Sequence, residues 1–183
     1  MCSAYWFRAT LKSCQIGIGL ARRFVHPRNE VMAYSMIIEE VAASEAPMGL
    51  LLQADPSKEK VEGYLSQSRC FVAILEGQIV GVCIVQPVSA DVQELMNISV
   101  APEHQRNGIG RELLRYAIVS TRQAKVRRLE VGTGTFGYQL AFYQREGFRV
   151  DRIEKDFFLS NYDEPIYEDG IQLKDMLRLA LDL

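Results

Sequence analysis

The sequence predicts an α/β (α+β) domain, a mixed and mostly antiparallel central sheet of about six to seven strands flanked by about four helices. Three observations lead there. From Met36 onward, short apolar runs alternate with segments of helical period in the order β-α-α-β-β-β-α-β-α-β-β. The apolar run "CFVAILEGQIVGVCIVQ" breaks at Glu76-Gly77-Gln78, a turn that makes its two halves an antiparallel hairpin. The chain has 183 residues, 48% of them hydrophobic, which suffices for one buried core and is tight for two.

Taken in order, "IIEEV" reads as a short strand. Ser44 is expected to cap a helix running through Leu52, with Glu45 in its first turn, where negative charge suits the helix dipole. Pro56 and Ser57 open a second helix, "SKEKVEGYLSQ". The hairpin follows, then the strand "DVQELMNISV". Gly108 to Thr121 reads as a helix, because Ile109, Leu113, Leu114, Ala117, Ile118 and Thr121 share one face at helical spacing. "VRRLEV" is a strand, "GTGTFG" a loop, and "YQLAFYQREGF" a short helix ended by Gly147. "RVDRIEKDFFL" is expected as one strand, followed by an acid-rich loop to Gly170. In "KDMLRLALDL" the alternation of Leu177, Leu179 and Leu181 favours a closing strand.

Residues 1–35 differ from this pattern. Arg8, Lys12, Arg22, Arg23 and Arg28 stand against a single acid, Glu30, and no hydrophobic period runs through them. A secretory signal needs a continuous apolar core, which Gln15, Gly17 and Gly19 interrupt. The segment is expected to be an atypical, poorly ordered basic leader ahead of one domain spanning 36–183. Upstream translated sequence before a natural start at Met32 or Met36, an organellar transit peptide, and a genuine N-terminal element all fit its composition.

The totals exclude several classes. A net charge of −2 argues against a broad nucleic-acid footprint. No run of 18 apolar residues suggests a membrane span. The two histidines, His26 and His104, lack metal-ligand company, so no metal is expected. Cys2, Cys14, Cys70 and Cys83 form no CxxC pair, and the last two sit in apolar strands as reduced structural thiols. A cytoplasmic protein, monomer or homodimer, is the expectation.

The functional signal is "HQRNGIGREL", residues 104–113. A Walker loop would end in Gly-Lys-Ser/Thr, whereas this one ends in Gly110-Arg111-Glu112. A dinucleotide fingerprint needs three glycines, and this stretch has Gly108 and Gly110 only. What remains is Gln-x-x-Gly-x-Gly opening a helix. Glycines let backbone N–H groups approach an anion, the helix start adds partial positive charge, and Arg106 and Arg111 add full charges. A pyrophosphate suits such a place.

"NISVAPEHQRNGIGRELL", followed at the right distance by "LAFYQREGF", resembles the GNAT N-acetyltransferase superfamily from about Met36 to the C-terminus. The likeness is to small bacterial members of unassigned substrate. It implies the GNAT fold and acetyl-CoA as co-substrate. It makes Gln105, Arg106, Asn107, Gly108, Ile109, Gly110 and Arg111 the pyrophosphate cradle, and Ile98, Ser99 and Val100 the strand edge that pairs with the pantetheine arm. It implies a β-bulge near Met96 and Asn97, with the Ile98 N–H as oxyanion donor. Tyr143 would protonate the leaving thiolate, and Glu94 would take the amine proton directly or through water. Many relatives carry Asn where this chain has Phe136, and the hydroxyls of Thr133 and Thr135 are the substitutes on offer. His104 reads as a surface residue, and Asn97 has two readings, a bond to the cofactor or, as is more usual for a strand asparagine, to a local backbone group.

The acceptor would be a primary amine of a small molecule or a peptide. Asp156, Asp163, Glu164, Glu168 and Asp169, interleaved with Tyr162 and Tyr167, suit a cationic one. Met48 to Leu52 and Tyr64 would form the opposite wall by analogy with the family. The competing readings are a non-catalytic acetyl-CoA sensor and a nucleotide-binding regulatory domain, the latter disfavoured by the missing Lys-Ser/Thr.

Overall fold

The computed structural model describes residues 36–183. The leader expected over 1–35, with Cys2, Cys14 and His26, lies outside the described residues. The chain runs through β1 (Met36–Val41), α1 (Met48–Ala54), α2 (Lys58–Leu65), β2 (Arg69–Leu75), β3 (Gln78–Pro87) and β4 (Val92–Val100). It continues through α3 (Ile109–Gln123), β5 (Arg128–Gly134), α4 (Tyr138–Arg145), β6 (Arg149–Glu154), α5 (Phe157–Asn161), β7 (Tyr167–Glu168), β8 (Ile171–Gln172) and β9 (Met176–Asp182).

Seven strands form one sheet in the order β1-β2-β3-β4-β5-β9-β6. Every pairing in it is antiparallel except β4 with β5. The β2–β3 turn sits where the sequence puts it, with Glu76 at φ 52° and Gly77 at φ 78°. Two positive φ values in succession suit a tight hairpin turn. The parallel pair is bridged by α3, the crossover such a pair requires.

Two cores lie on opposite faces of the sheet. One joins α3 and α4 through Leu113, Leu114, Ala117, Leu129, Val131, Tyr143, Phe148 and Leu179. The other joins α1 and α2 through Leu51, Val61, Tyr64, Val72, Val82 and Ile84. All six residues expected on the inner face of α3 are buried. Cys70 and Cys83 are buried free thiols.

Four expectations are corrected. The first helix does not start at Ser44. Ala43–Glu45 is an isolated 3₁₀ turn, and α1 begins after Pro47, whose missing N–H suits the edge of a helix and not its interior. "GTGTFG" is not all loop, because β5 continues to Gly134. A Cβ at Gly132 would lie 2.5 Å from Met176 Sδ, so the missing side chain there makes room for β9. "RVDRIEKDFFL" is not one strand. It breaks at Asp156, φ 56°, whose N–H donates to Asp175 Oδ1 at 2.8 Å, and α5 follows. The acid-rich loop contains the small β7–β8 hairpin, turning at Asp169-Gly170 with φ 51° and 76°.

α3 seats on β3 at Gly81. A Cβ there would lie 2.9 Å from Leu113 Cδ1 and 3.3 Å from the Ser99 carbonyl oxygen. Gly81→Val is expected to destabilise the fold by about 1–3 kcal/mol through overpacking. The measurement is urea unfolding, where the midpoint should fall with little change in m. A parental midpoint would mean that the helix does not press on the sheet at this point.

Candidate active site

The pairing of β4 with β5 covers only Val92–Leu95 against Arg128–Val131. From Met96 to Val100, β4 stays on β3 and leaves β5. Within this stretch the β3 register steps from Val85↔Leu95 to Ile84↔Asn97, so Met96 is an extra residue, a β-bulge. Its effect is visible in the packing. Leu95, Ile98 and Val100 all join the α3-side core, which strict alternation along a strand would forbid.

The opening between the strands is a cavity of about 740 Å³. Met96, Asn97, Ile98, Ser99 and Val100 line one side, and Val131 and Gly132 the other. His104, Gln105, Arg106, Gly108, Ile109, Gly110 and Arg111 line one end, while Gln53 and Ala54 of α1 line it as well. Its size lies within the range of ligand pockets.

The glycine loop turns into α3 through Gly108 at φ 84°, a left-handed conformation that a side chain would strain. Arg106 precedes it at φ 62°. The first bond of the helical ladder here is Glu112 N–H to the Gly108 carbonyl at 3.1 Å. The N–H groups of Gly108–Arg111 are therefore orphans of the helix start, pointed where an anion is favoured. The Gln105 amide donates to the Val100 carbonyl at 2.9 Å, fastening the loop to the end of β4. The Arg111 Nε donates to Glu146 Oε1 at 2.6 Å. Asn107 donates to the His104 carbonyl at 3.3 Å and is not among the lining residues.

α4 supplies Tyr138, Gln139, Phe142 and Tyr143 to the cavity, two i,i+4 pairs on adjacent rows of the helix. Tyr143 is only 5% exposed, with its ring edge-on to Phe142 at 5.1 Å and Phe148 at 5.8 Å. Burial pushes its phenol above the ordinary tyrosine pKa, with Cys83 and Tyr138 adding to the shift. The Thr133 hydroxyl donates to Gln139 Oε1 at 3.3 Å and Thr135 is exposed, so Gln139 and not a threonine reaches the cavity from this loop.

Glu94 does not line the cavity. It lies before the bulge and forms an ion pair with Arg178 of β9, which also bonds Glu154 at 2.8 Å. Burial lowers the Arg178 pKa, but these two carboxylates more than offset that and raise it. Asn97 faces the α1–α2 side, where its Nδ2 donates to the Leu51 carbonyl and to the Tyr64 hydroxyl, both at 3.0 Å. It thus satisfies a backbone group, but one 46 residues away. Its Oδ1 is buried without a hydrogen-bond partner among the described residues.

Sequence reasoning missed Gln53, Ala54, Tyr138, Gln139 and Phe142, and read His104 as surface when it is half-buried on the cavity wall. The α4 residues had a usable signal, their i,i+4 spacing with Tyr143. The acid-rich segment stands apart from the cavity. Asp156, Asp163, Glu164 and Asp169 are exposed, and none of them lines it. Glu168 lies against Gly134 and Gly137, its pKa raised by burial and then by Asp169.

An acetyltransferase (GNAT) domain model matches residues 66–150. An uncharacterized N-acetyltransferase of Bacillus subtilis, YvbK, is 42% identical over 135 residues, 73% of this chain and 87% of that protein. The structure of an IAA acetyltransferase from Bacillus cereus is 40% identical, with a TM-score of 0.78 over 81% of this chain and 100% of that one. A GNAT family acetyltransferase from Elizabethkingia anophelis, solved with acetyl-CoA bound, is 38% identical with a TM-score of 0.78, covering 81% and 98% of the two chains. With this likeness along nearly the whole length of its relatives, and a splayed sheet that opens onto a glycine-lined helix start, the chain belongs to the GNAT acetyltransferase family.

Proposed function

We propose that this chain transfers an acetyl group from acetyl-CoA to a primary amine, of a small molecule or a peptide, by direct attack in a ternary complex. One observation carries the reading. A single cavity is lined by Gly108–Arg111 at the start of α3, by the open stretch of β4 and by Tyr143. Backbone donors and Arg106 suit the pyrophosphate at one end, and a strand edge suits an amide-bearing arm along the middle. The relative from Elizabethkingia anophelis, which binds acetyl-CoA, supports this choice of donor.

Acetyl-CoA supplies an acyl carbon already activated by a thiolate leaving group. Ile98–Val100 offer backbone groups to the pantetheine amides, and the Ile98 N–H serves as oxyanion donor. Tyr143 donates its proton to the departing sulfur. Glu94 is bonded to Arg178 and set back from the cavity wall, so it takes the amine proton through water and not by contact.

The decisive experiment is an amine panel with free CoA release as the readout. Amine-dependent release establishes transfer, whereas acetyl-CoA binding without release across the panel would describe a sensor.

Gly110→Asp tests the cradle. Its Cβ would meet Val100 Cγ2 at 3.6 Å and Phe142 Cζ at 3.9 Å, ordinary contacts, so the fold should survive. The added carboxylate is expected to weaken acetyl-CoA binding by about two orders of magnitude through like-charge repulsion. Calorimetry showing parental affinity in a folded protein would end the assignment.

Tyr143→Phe keeps the ring and removes the proton. Turnover should fall roughly 10²–10⁴-fold, with cofactor affinity nearly unchanged. The pH profile of the parent gives a second check. An acid works only while protonated, and a raised pKa moves its loss to higher pH. No alkaline fall in kcat should therefore centre on the usual tyrosine value of about 10.

A further inference from the structure

Tyr143 and the cradle sit on different helices, yet a donor held by its pyrophosphate brings its sulfur to a set distance. Something in the chain has to fix the reach from the start of α3 to the phenol on α4. Apolar packing around Tyr143 is non-directional and does not fix that reach alone.

Glu146 closes α4. Its N–H donates to the Tyr143 carbonyl at 3.0 Å, and its side chain is only 8% exposed. Each carboxylate oxygen has its own guanidinium. Oε1 accepts from Arg111 Nε at 2.6 Å, and Oε2 from Arg115 Nε at 2.8 Å. Both arginines belong to α3, one helical turn apart, so the carboxylate is gripped at two points. Burial would raise the Glu146 pKa, but the bonds from Arg115 and Arg111 outweigh it and hold the group below its ordinary value. Charge-assisted bonds of this length add direction that the surrounding apolar contacts lack. Arg111 lines the cavity at the cradle and Tyr143 lines it on α4, so a short covalent and hydrogen-bonded chain links the two ends.

We propose that Glu146 is a positioning residue: through Arg111 and Arg115 it sets the reach between the pyrophosphate cradle and the acid Tyr143. This rests on the reading of the cavity as an acetyl-CoA site with Tyr143 as acid.

The test compares two acetyl donors, acetyl-CoA and S-acetylpantetheine, which lacks the pyrophosphate. With acetyl-CoA, Glu146→Gln should lower kcat about tenfold to a hundredfold, the loss that a misplacement near 1 Å brings. Its acetyl-CoA Kd should stay within a few-fold of the parent. With S-acetylpantetheine, which is not anchored at the cradle, variant and parent should turn over alike. In a Tyr143→Phe background, Glu146→Gln should cost nothing further, since a residue acting through the phenol has nothing left to position. Glu146→Asp keeps the charge and shortens the reach. It should show the same donor-dependent loss in milder form, and it carries the comparison if the glutamine variant does not fold.

Equal losses with both donors, losses that add to that of Tyr143→Phe, or parental turnover with acetyl-CoA would each overturn the proposal. The first two would mean that Glu146 merely supports the fold. A silent Tyr143→Phe would be seen before Glu146 is altered. It would remove the acid assignment, and this proposal with it.

Discussion

The single parallel pairing, β4 beside β5, is the constraint from which the site follows. Parallel neighbours need a crossover, and here it is α3, which leaves the end of β4 and returns to the start of β5. Both strands therefore finish at the same edge, and both following helices, α3 and α4, begin there. In an open sheet that is where ligands gather. The pairing then stops at Leu95, and the Met96 bulge turns the rest of β4 away from β5. Backbone groups that a continuous sheet would have used internally are left for a guest. The opening, the glycine-lined start of α3 and the placement of Tyr143 on α4 beside it are three consequences of one topological choice.

The parts of this arrangement that depend on neighbours in sequence were legible. α3 shows its buried face as a helical stripe, and Glu76-Gly77 announces a turn that needs positive φ. Gly108 reads as the start of α3, and its φ of 84° there suits a residue without a side chain. The glycines of β5 were illegible for the opposite reason. Gly132 and Gly134 look like loop residues by composition, but they are strand residues kept bare so that Met176 and Leu173, some forty residues on, can pack against them. Glu94 could be placed on its strand, but not its partner Arg178, 84 residues away. The bulge left no mark in the alternation of residue types, and only resemblance to the family suggested it.

The sheet face opposite α3 and α4 carries a ladder of alternating charge where it runs out past α1 and α2. Arg178 bridges Glu94 and Glu154, while Arg152 approaches Glu130 and Glu154 within 3.5 and 3.6 Å. Arg128 holds Glu130 and Asp151 at 2.7 and 2.8 Å. Fully exposed ion pairs contribute about 0–1 kcal/mol each, and most of these are half-buried. Together they link β4, β5, β6 and β9. Glu94 is part of that ladder, and this gives physical content to its distance from the cavity. Its carboxylate is engaged in holding β4 to β9, so any proton it accepts has to travel.

The segment after α5 shows why composition alone misjudges an acceptor site. Its acids and aromatics suggested attraction for a cation, and a cation is indeed held there, but it is the chain's own. The Lys60 ammonium lies 3.6 Å above the Tyr162 ring and donates to the Asn161 carbonyl. The Tyr162 hydroxyl is 3.5 Å from Asp55 Oδ1, and burial, with Asp55 adding, pushes its pKa up to about 12. These contacts strap the segment to α2 and to the end of α1, which brings Gln53 and Ala54 to the cavity. Tyr162 is thus engaged in an internal contact, while Asp163, Glu164 and Asp169 remain in solvent. Residue type tells which chemistry a stretch can perform. Which partner receives it is decided by contacts over long sequence separation, and here the aromatic face that looked ready for a substrate ammonium already has one.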